Sequence, residues 1–196
     1  IMDMYLKTDQ GKVAKDFAIM GFVLYLYLRI NMKKLILIFF IIPNILFASS
    51  MKMIGEKGKS LEVTRTVEIK MYDNYYEPST IKIKKNETIK FIVYNYGELV
   101  HEFNIATKEM HIKHQPEMMK MVEHEILLPD KIDKKKMKKM AKKDHAMGHS
   151  HSNSALLEPS GKAELIWKFS TDVELEAACN VPGHYESGMI LKINKT

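Results

Sequence analysis

The stretch T-I-K-F-I-V-Y-N-Y-G-E-L-V-H-E-F-N-I-A-T, residues 88–107, decides how the chain is read. From Thr88 to Tyr96 polar and apolar residues alternate, with β-branched and aromatic side chains enriched, the period of a strand with one buried face. Gly97 breaks that strand, and residues 99–107 begin another. The pattern continues in both directions. Upstream, LEVTRTVEIKMY (61–72) and IKIKK (81–85) alternate in the same way, and Asn86-Glu87 makes a turn before Thr88. Downstream, after a gap, AELIWKF (163–169), VELEAAC (173–179) and MILKI (189–193) complete the set. About seven strands, with turn signals between them and no helix-length amphipathic run interrupting them, indicate an all-β fold, a sandwich with Greek-key connections.

The N-terminal block bears on compartment. Met32-Lys33-Lys34 precedes the apolar run LILIFFIIPNILF and then Ala48-Ser49-Ser50. A short basic region, an apolar stretch and small residues are the pattern of a secretory signal peptide, placed at 32–48. The run is short for a membrane span of about 20 residues; the alternative is a retained anchor, to which a second apolar run, Phe17 to Leu28, lends weight. Met32 resembles a natural start, so residues 1–31 read as a non-native upstream extension. Residues 49–60 read as a linker, and 61–196 as one domain with an insertion at 108–159. The formal charge of +6 falls to +3 once residues 1–48, with six Lys/Arg and three Asp/Glu, are set aside. Eight lysines lie between Lys131 and Lys143. With no nucleic-acid-binding module beside it, that run reads as a solvated segment, or one that steers docking to an acidic partner.

Export makes the cysteine count informative, because exported chains usually pair their cysteines. This chain has one, in C-N-V-P-G-H-Y-E-S-G-M, Cys179 to Met189. Thiolate, imidazole and thioether together favour copper, and a trigonal His₂Cys set with a weak axial Met is the blue-copper electron-transfer site. Cys179, His184 and Met189 offer three such ligands on one loop that Pro182-Gly183 turns back on itself. The fourth must come from elsewhere, and His101, on the earlier strand, is the best candidate. The bland alternative makes Cys179 and Met189 core residues and His184 a turn residue. Zinc would favour a closed Cys/His set without Met.

The gap at 108–159 is too long for a simple loop. It holds seven methionines (Met110, Met118, Met119, Met121, Met137, Met140, Met147) and six of the eight histidines (His111, His114, His124, His145, His149, His151). Residues 115–125 have helical character, whereas the lysine run and HAMGHSHSNS (145–154) read as mobile. Thioethers bind Cu(I) and imidazoles also capture Cu(II). The segment therefore reads as a second, weaker copper-collecting region: Met110, Met118, Met119, Met121 and Met147 with the six histidines. A Met-rich helix packed on the sandwich is the alternative. His149-x-His151, in a Ser/Asn-rich loop, looks too isolated for a catalytic site.

On these residues, over about 61–107 and 160–196, the chain resembles the cupredoxin family, whose type 1 copper loop follows Cys-x(n)-His-x(m)-Met with an upstream histidine. The resemblance implies one type 1 copper held by His101, Cys179, His184 and Met189, cycling between Cu(I) and Cu(II), and no catalytic residues. M-H-x-x-H and M-M-K-M between H-E-F and the copper loop resemble the periplasmic cupredoxins linked to copper tolerance in bacteria, which implies copper homeostasis in the periplasm. The other readings are a soluble one-electron carrier and a copper-dependent oxidase, for which no substrate or dioxygen site is visible. Ala178 and Asn180 flank the cysteine where multicopper oxidases place histidines, and a binuclear copper centre would need a second cysteine. Expected partners are copper ions and a redox or copper-handling protein, with no nucleic acid and membrane contact only through a retained signal segment.

Overall fold

The computed structural model describes residues 54–196; the expected extension (1–31) and signal segment (32–48) lie outside them. Among the described residues the strands are β1 (Glu56–Lys57), β2 (Arg65–Tyr72), β3 (Tyr75–Glu77), β4 (Thr80–Ile83), β5 (Thr88–Asn95), β6 (His101–Ala106), β7 (Ser154–Leu157), β8 (Lys162–Lys168), β9 (Glu176–Ala178) and β10 (Ile190–Lys195). Two helices, α1 (Lys108–Glu123) and α2 (Lys134–Met140), lie between β6 and β7. One sheet runs β1-β8-β5-β2-β3 and the other β4-β10-β9-β6-β7. β2–β5 and β10–β4 are parallel pairs, and the other ladders are antiparallel. The expected all-β sandwich is therefore what forms, with ten strands rather than about seven.

Alternation explains the core. In β5, Ile89, Phe91 and Val93 are fully buried while Lys90, Ile92 and Tyr94 are only half-buried. The inward residues meet Phe103, Ile105, Trp167 and Phe169 in one cluster between the sheets. Tyr76 ties the sheets together from β3, its hydroxyl donating to the Glu102 carbonyl of β6 at 2.6 Å in a buried setting. Tyr76→Phe strands that carbonyl and is expected to cost about 1–2 kcal/mol in urea unfolding.

Three strands escaped the sequence pattern, for physical reasons. β1 lies in the expected linker, where Ile54 is also core. Its entry rests on Gly55, at φ +124°, where a Cβ would meet the Lys168 carbonyl oxygen at 2.4 Å and Trp167 Nε1 at 2.7 Å. β3 has three residues, too few to show a period. β7 lies inside the expected insertion, starting at the last residue of the stretch expected to be mobile, yet pairs with β6 over four residues. The lysine run likewise takes regular structure: Lys134–Met140 within it form α2, capped by the Asp133 side chain, which accepts from Lys136 N at 2.8 Å. Met137 and Met140, spaced i, i+3, give α2 an apolar edge.

α1 begins at Thr107, whose hydroxyl accepts from Met110 N. Its buried residues, His111, Met118 and Met121, recur on one face. Met118 and Met121 join Val100, Ile126, Leu127, Ile132 and Met147 in a second apolar cluster, with Val181 of the Cys179–Met189 loop packed against it. Among the described residues no helix is long and apolar enough to cross a membrane.

Strand β6 differs from the rest in being buried along its whole length. Phe103 and Ile105 face the sandwich core. Glu102 and Asn104 face the opposite way, where Ser154, Asn153 and the insertion cover them.

Candidate metal centre

His101 starts β6, and Cys179 follows the last residue of β9, so adjacent strands bring the two together. The 179–189 loop is knitted by its own backbone. Cys179 N donates to Met189 O, His184 N to Val181 O and Met189 N to His184 O, at 3.2, 2.9 and 3.0 Å. Gly183 and Gly188 adopt φ of +86° and +91°, which the turns require. Met189 is fully buried in the same core cluster as Cys179.

Three ligand atoms converge. Cys179 Sγ is 3.4 Å from His184 Nδ1 and 3.9 Å from His101 Nδ1, and the two Nδ1 atoms are 3.2 Å apart. A trigonal centre with bonds of about 2.0–2.3 Å would set its ligand atoms about 3.5–3.8 Å apart. The observed triangle brackets that size. The ligand atoms of His101, Cys179 and His184 thus lie close enough together to hold one metal ion, and the backbone clamps Met189 to both Cys179 and His184.

Protonation favours a metal as well. Burial lowers the pKa of His101, against the pull of Asp73, and burial together with the neighbouring His101 lowers that of His184, so both rings are neutral at pH 7. His101 Nε2 lies 2.8 Å from Asp73 Oδ1. A neutral ring donating there presents the Nδ1 lone pair to the centre. Burial works against the Asp73 carboxylate, but His101 and the Glu98 and Leu99 amides hold it ionised below its usual range. Gly97 makes room for this contact, since a Cβ there would lie 2.4 Å from Asp73 Oδ1 and 2.8 Å from His101 Nε2. Burial pushes the Cys179 thiol up to about 12 against the hydrogen bond from Glu102 N, so without a metal it stays a thiol. A thiolate forms only when a cation takes the proton's place.

Asp73, Glu102 and Asn180 were not singled out in the sequence. Asp73 sits in the two-residue turn after β2, and nothing local reveals that this turn reaches His101. Glu102 could have been noticed as a lone acid in an apolar strand. Its carboxylate accepts from Asn180 Nδ2 at 2.8 Å, from Ser154 Oγ at 2.7 Å and from Asn104 Nδ2 at 3.0 Å.

The insertion's expected collecting residues divide. Met118, Met121 and Met147 are buried in the second apolar cluster, while Met119 is exposed on the other side of α1. The helical period that gives α1 a packed face parts these methionines. Met110 packs against the main core. His111 is buried with Nδ1 3.2 Å from Asn180 Oδ1. His124 and His145 are exposed. His114, His149 and His151 come together beside Glu102, with ring centroids 5.3–5.7 Å apart.

A two-sheet sandwich that presents His, Cys and His from two adjacent strands and one closing loop defines a cupredoxin architecture, and the sequence comparisons agree. The family model described as a cupredoxin-like domain matches residues 38–132, a span that holds His101 and ends before the Cys179 loop. A protein of Pseudomonas aeruginosa named copper-resistant cuproprotein CopI is 36% identical, over 69% of this chain and 78% of that one. Another of the same name, from Rubrivivax gelatinosus, is 29% identical over 71% of each. The solved structure of auracyanin B is similar in fold, with a TM-score of 0.51 at 13% identity, covering 72% of this chain and 96% of that one. The chain belongs to the cupredoxin family, and within it is similar to proteins named for copper resistance.

Proposed function

We propose that the protein is an exported cupredoxin that binds one type 1 copper through His101, Cys179, His184 and Met189 and serves copper tolerance in the periplasm, without being an enzyme. The convergence of one buried thiol and two neutral imidazoles to within 3.9 Å carries this reading. That donor set, with a thioether nearby, suits copper in both oxidation states. Copper bound there would supply a one-electron couple. The chain holds the donors in place beforehand: Asp73 orients His101, Glu102 N steadies the sulfur, and loop backbone bonds fix His184 and Met189. The tolerance role is supported by the names of the relatives, and export by the signal pattern at 32–48.

Loading the metal-free protein with Cu(II) tests the site. One equivalent should produce an intense visible thiolate band, and a colourless Cu(II) complex would overturn the type 1 reading. Asp73→Ala removes the partner that sets the His101 tautomer, so affinity for the coloured copper is expected to fall about 10–100-fold, measured by competition with a chelator. For the tolerance role, disrupting the gene should make cells more sensitive to copper, and unchanged sensitivity would reject it.

A further inference from the structure

The outer face of β6 carries a second convergence of ligating atoms, beneath the insertion. Glu102 Oε1 lies 2.8 Å from His149 Nε2 and 3.5 Å from His114 Nε2, and the two Nε2 atoms are 3.3 Å apart. This triangle is close in size to the His101–Cys179–His184 triangle. The His151 ring completes one side, 5.4 Å from that of His149 and 5.7 Å from that of His114, with its Nε2 buried and without a hydrogen-bond partner. Glu117 Oε2 accepts from His114 Nδ1 at 2.8 Å, which leaves Nε2 of that ring to face the cluster. A carboxylate behind a histidine in this way is the usual support of a metal-binding imidazole.

A buried ion pair is the competing account, with Glu102 balanced by protonated histidine. It explains His114 and His149 but leaves His151 Nε2 buried to no purpose. A cation satisfies Glu102, His114 and His149 together, whose ligand atoms lie within 4.8 Å of one another, and His151, which meets His114 and Glu117 at the same spacing, adds its imidazole from that side.

We propose that Glu102, His114, His149 and His151 form a second metal site, for Cu(II) in preference to Zn(II). Three imidazoles and a carboxylate, without sulfur, suit a divalent ion of intermediate softness rather than Cu(I), and among divalent ions Cu²⁺ binds such donors more tightly than Zn²⁺. The site is independent of whether the first triangle holds type 1 copper. The two nevertheless share a residue: Glu102 gives its carboxylate to one and its backbone N–H to the Cys179 sulfur of the other.

Titration of the metal-free protein with Cu(II), followed by visible absorption and electron paramagnetic resonance, tests this. The expected result is a second equivalent with weak visible absorption and the wide copper hyperfine splitting of nitrogen and oxygen ligands. It should persist in Cys179→Ala, which removes only the intense band. His151→Ala deletes a ring whose Nε2 makes no hydrogen bond, so the fold should survive. It should weaken the second equivalent more than about tenfold and leave the intense band in place, and Glu117→Gln should weaken it about tenfold. The proposal is overturned if no second equivalent binds, or if His151→Ala leaves it unchanged. It is also overturned if equimolar Zn(II) displaces the second copper. Absence of the intense band from the unsubstituted protein, with the second signal present, would count against the type 1 reading alone.

Discussion

Cys179→Ser is expected to abolish the intense visible band of the copper-loaded protein and to weaken copper at the first site by more than about 100-fold, since even supporting partners of a metal ligand are worth 10–100-fold. The reasoning is local. Cys179 is the only thiol in the chain, so no other side chain can supply the sulfur-to-copper charge transfer. A serine hydroxyl does not ionise under conditions where a metal-bound thiol does. The fold should tolerate the change, because position 179 is fixed by its backbone bond to Met189 and by Glu102 N, which can donate to oxygen as well as to sulfur. Retained intense colour in a folded Cys179→Ser protein would reject the assignment.

Glu102→Ala should destabilise the metal-free protein by about 3–5 kcal/mol, because removing one member of a buried charged network leaves the others unpaired. His149, His114, Ser154 and Asn180 all lose a partner in this variant. That is a large share of the roughly 5–15 kcal/mol that holds most domains folded. Glu102→Gln keeps the size and part of the hydrogen bonding and should cost less. The same network gives a pH signature. Burial alone would raise the Glu102 carboxyl, but His149 and His114 hold it well below its ordinary 4.5. Its contribution is therefore complete above pH 4.5 and is lost as pH falls through the depressed folded value. Burial alone would lower His114, but Glu102 and Glu117 raise it from 6.5 to about 9. Its contribution is complete below pH 6.5 and is lost as pH rises through about 9. Urea midpoints of the metal-free protein should be highest between these limits and flatter with pH in Glu102→Gln. A midpoint that climbs steadily from pH 6.5 to 9 in the unsubstituted protein would contradict this account.

Much of the sandwich was legible because its long strands bury one face and so write a period-2 pattern, as Ile89, Phe91 and Val93 do in β5. The short pieces were not. β1 and β3 contain too few residues to show a period, and β7 was hidden by a Ser/Asn-rich flank. The insertion looked loose because its charges drew attention away from the apolar residues spaced i, i+3. Met118 with Met121 and Met137 with Met140 turn out to be the packing side of two helices. At the site, Cys179, His184 and Met189 could be read together because one loop carries them. His101 could be reached because an early strand histidine is what such a loop lacks. Asp73 and the joining of His114 to His149 depend on contacts between residues 28 and 35 positions apart, which no local pattern records.

Neighbouring residues of one strand, His101 and Glu102, look to opposite sides of the sheet, each into a different set of ligating atoms. Ordinary side-chain alternation thus links the two sets rigidly. Inserting or deleting one residue ahead of Phe103 would turn the imidazole outward and the carboxylate inward, so both would be lost in a single event. Point substitutions can alter either set separately, but changes in chain length within this strand cannot. Loops that carry no ligating residue are free to lengthen or shorten, whereas β6 must keep its count of residues.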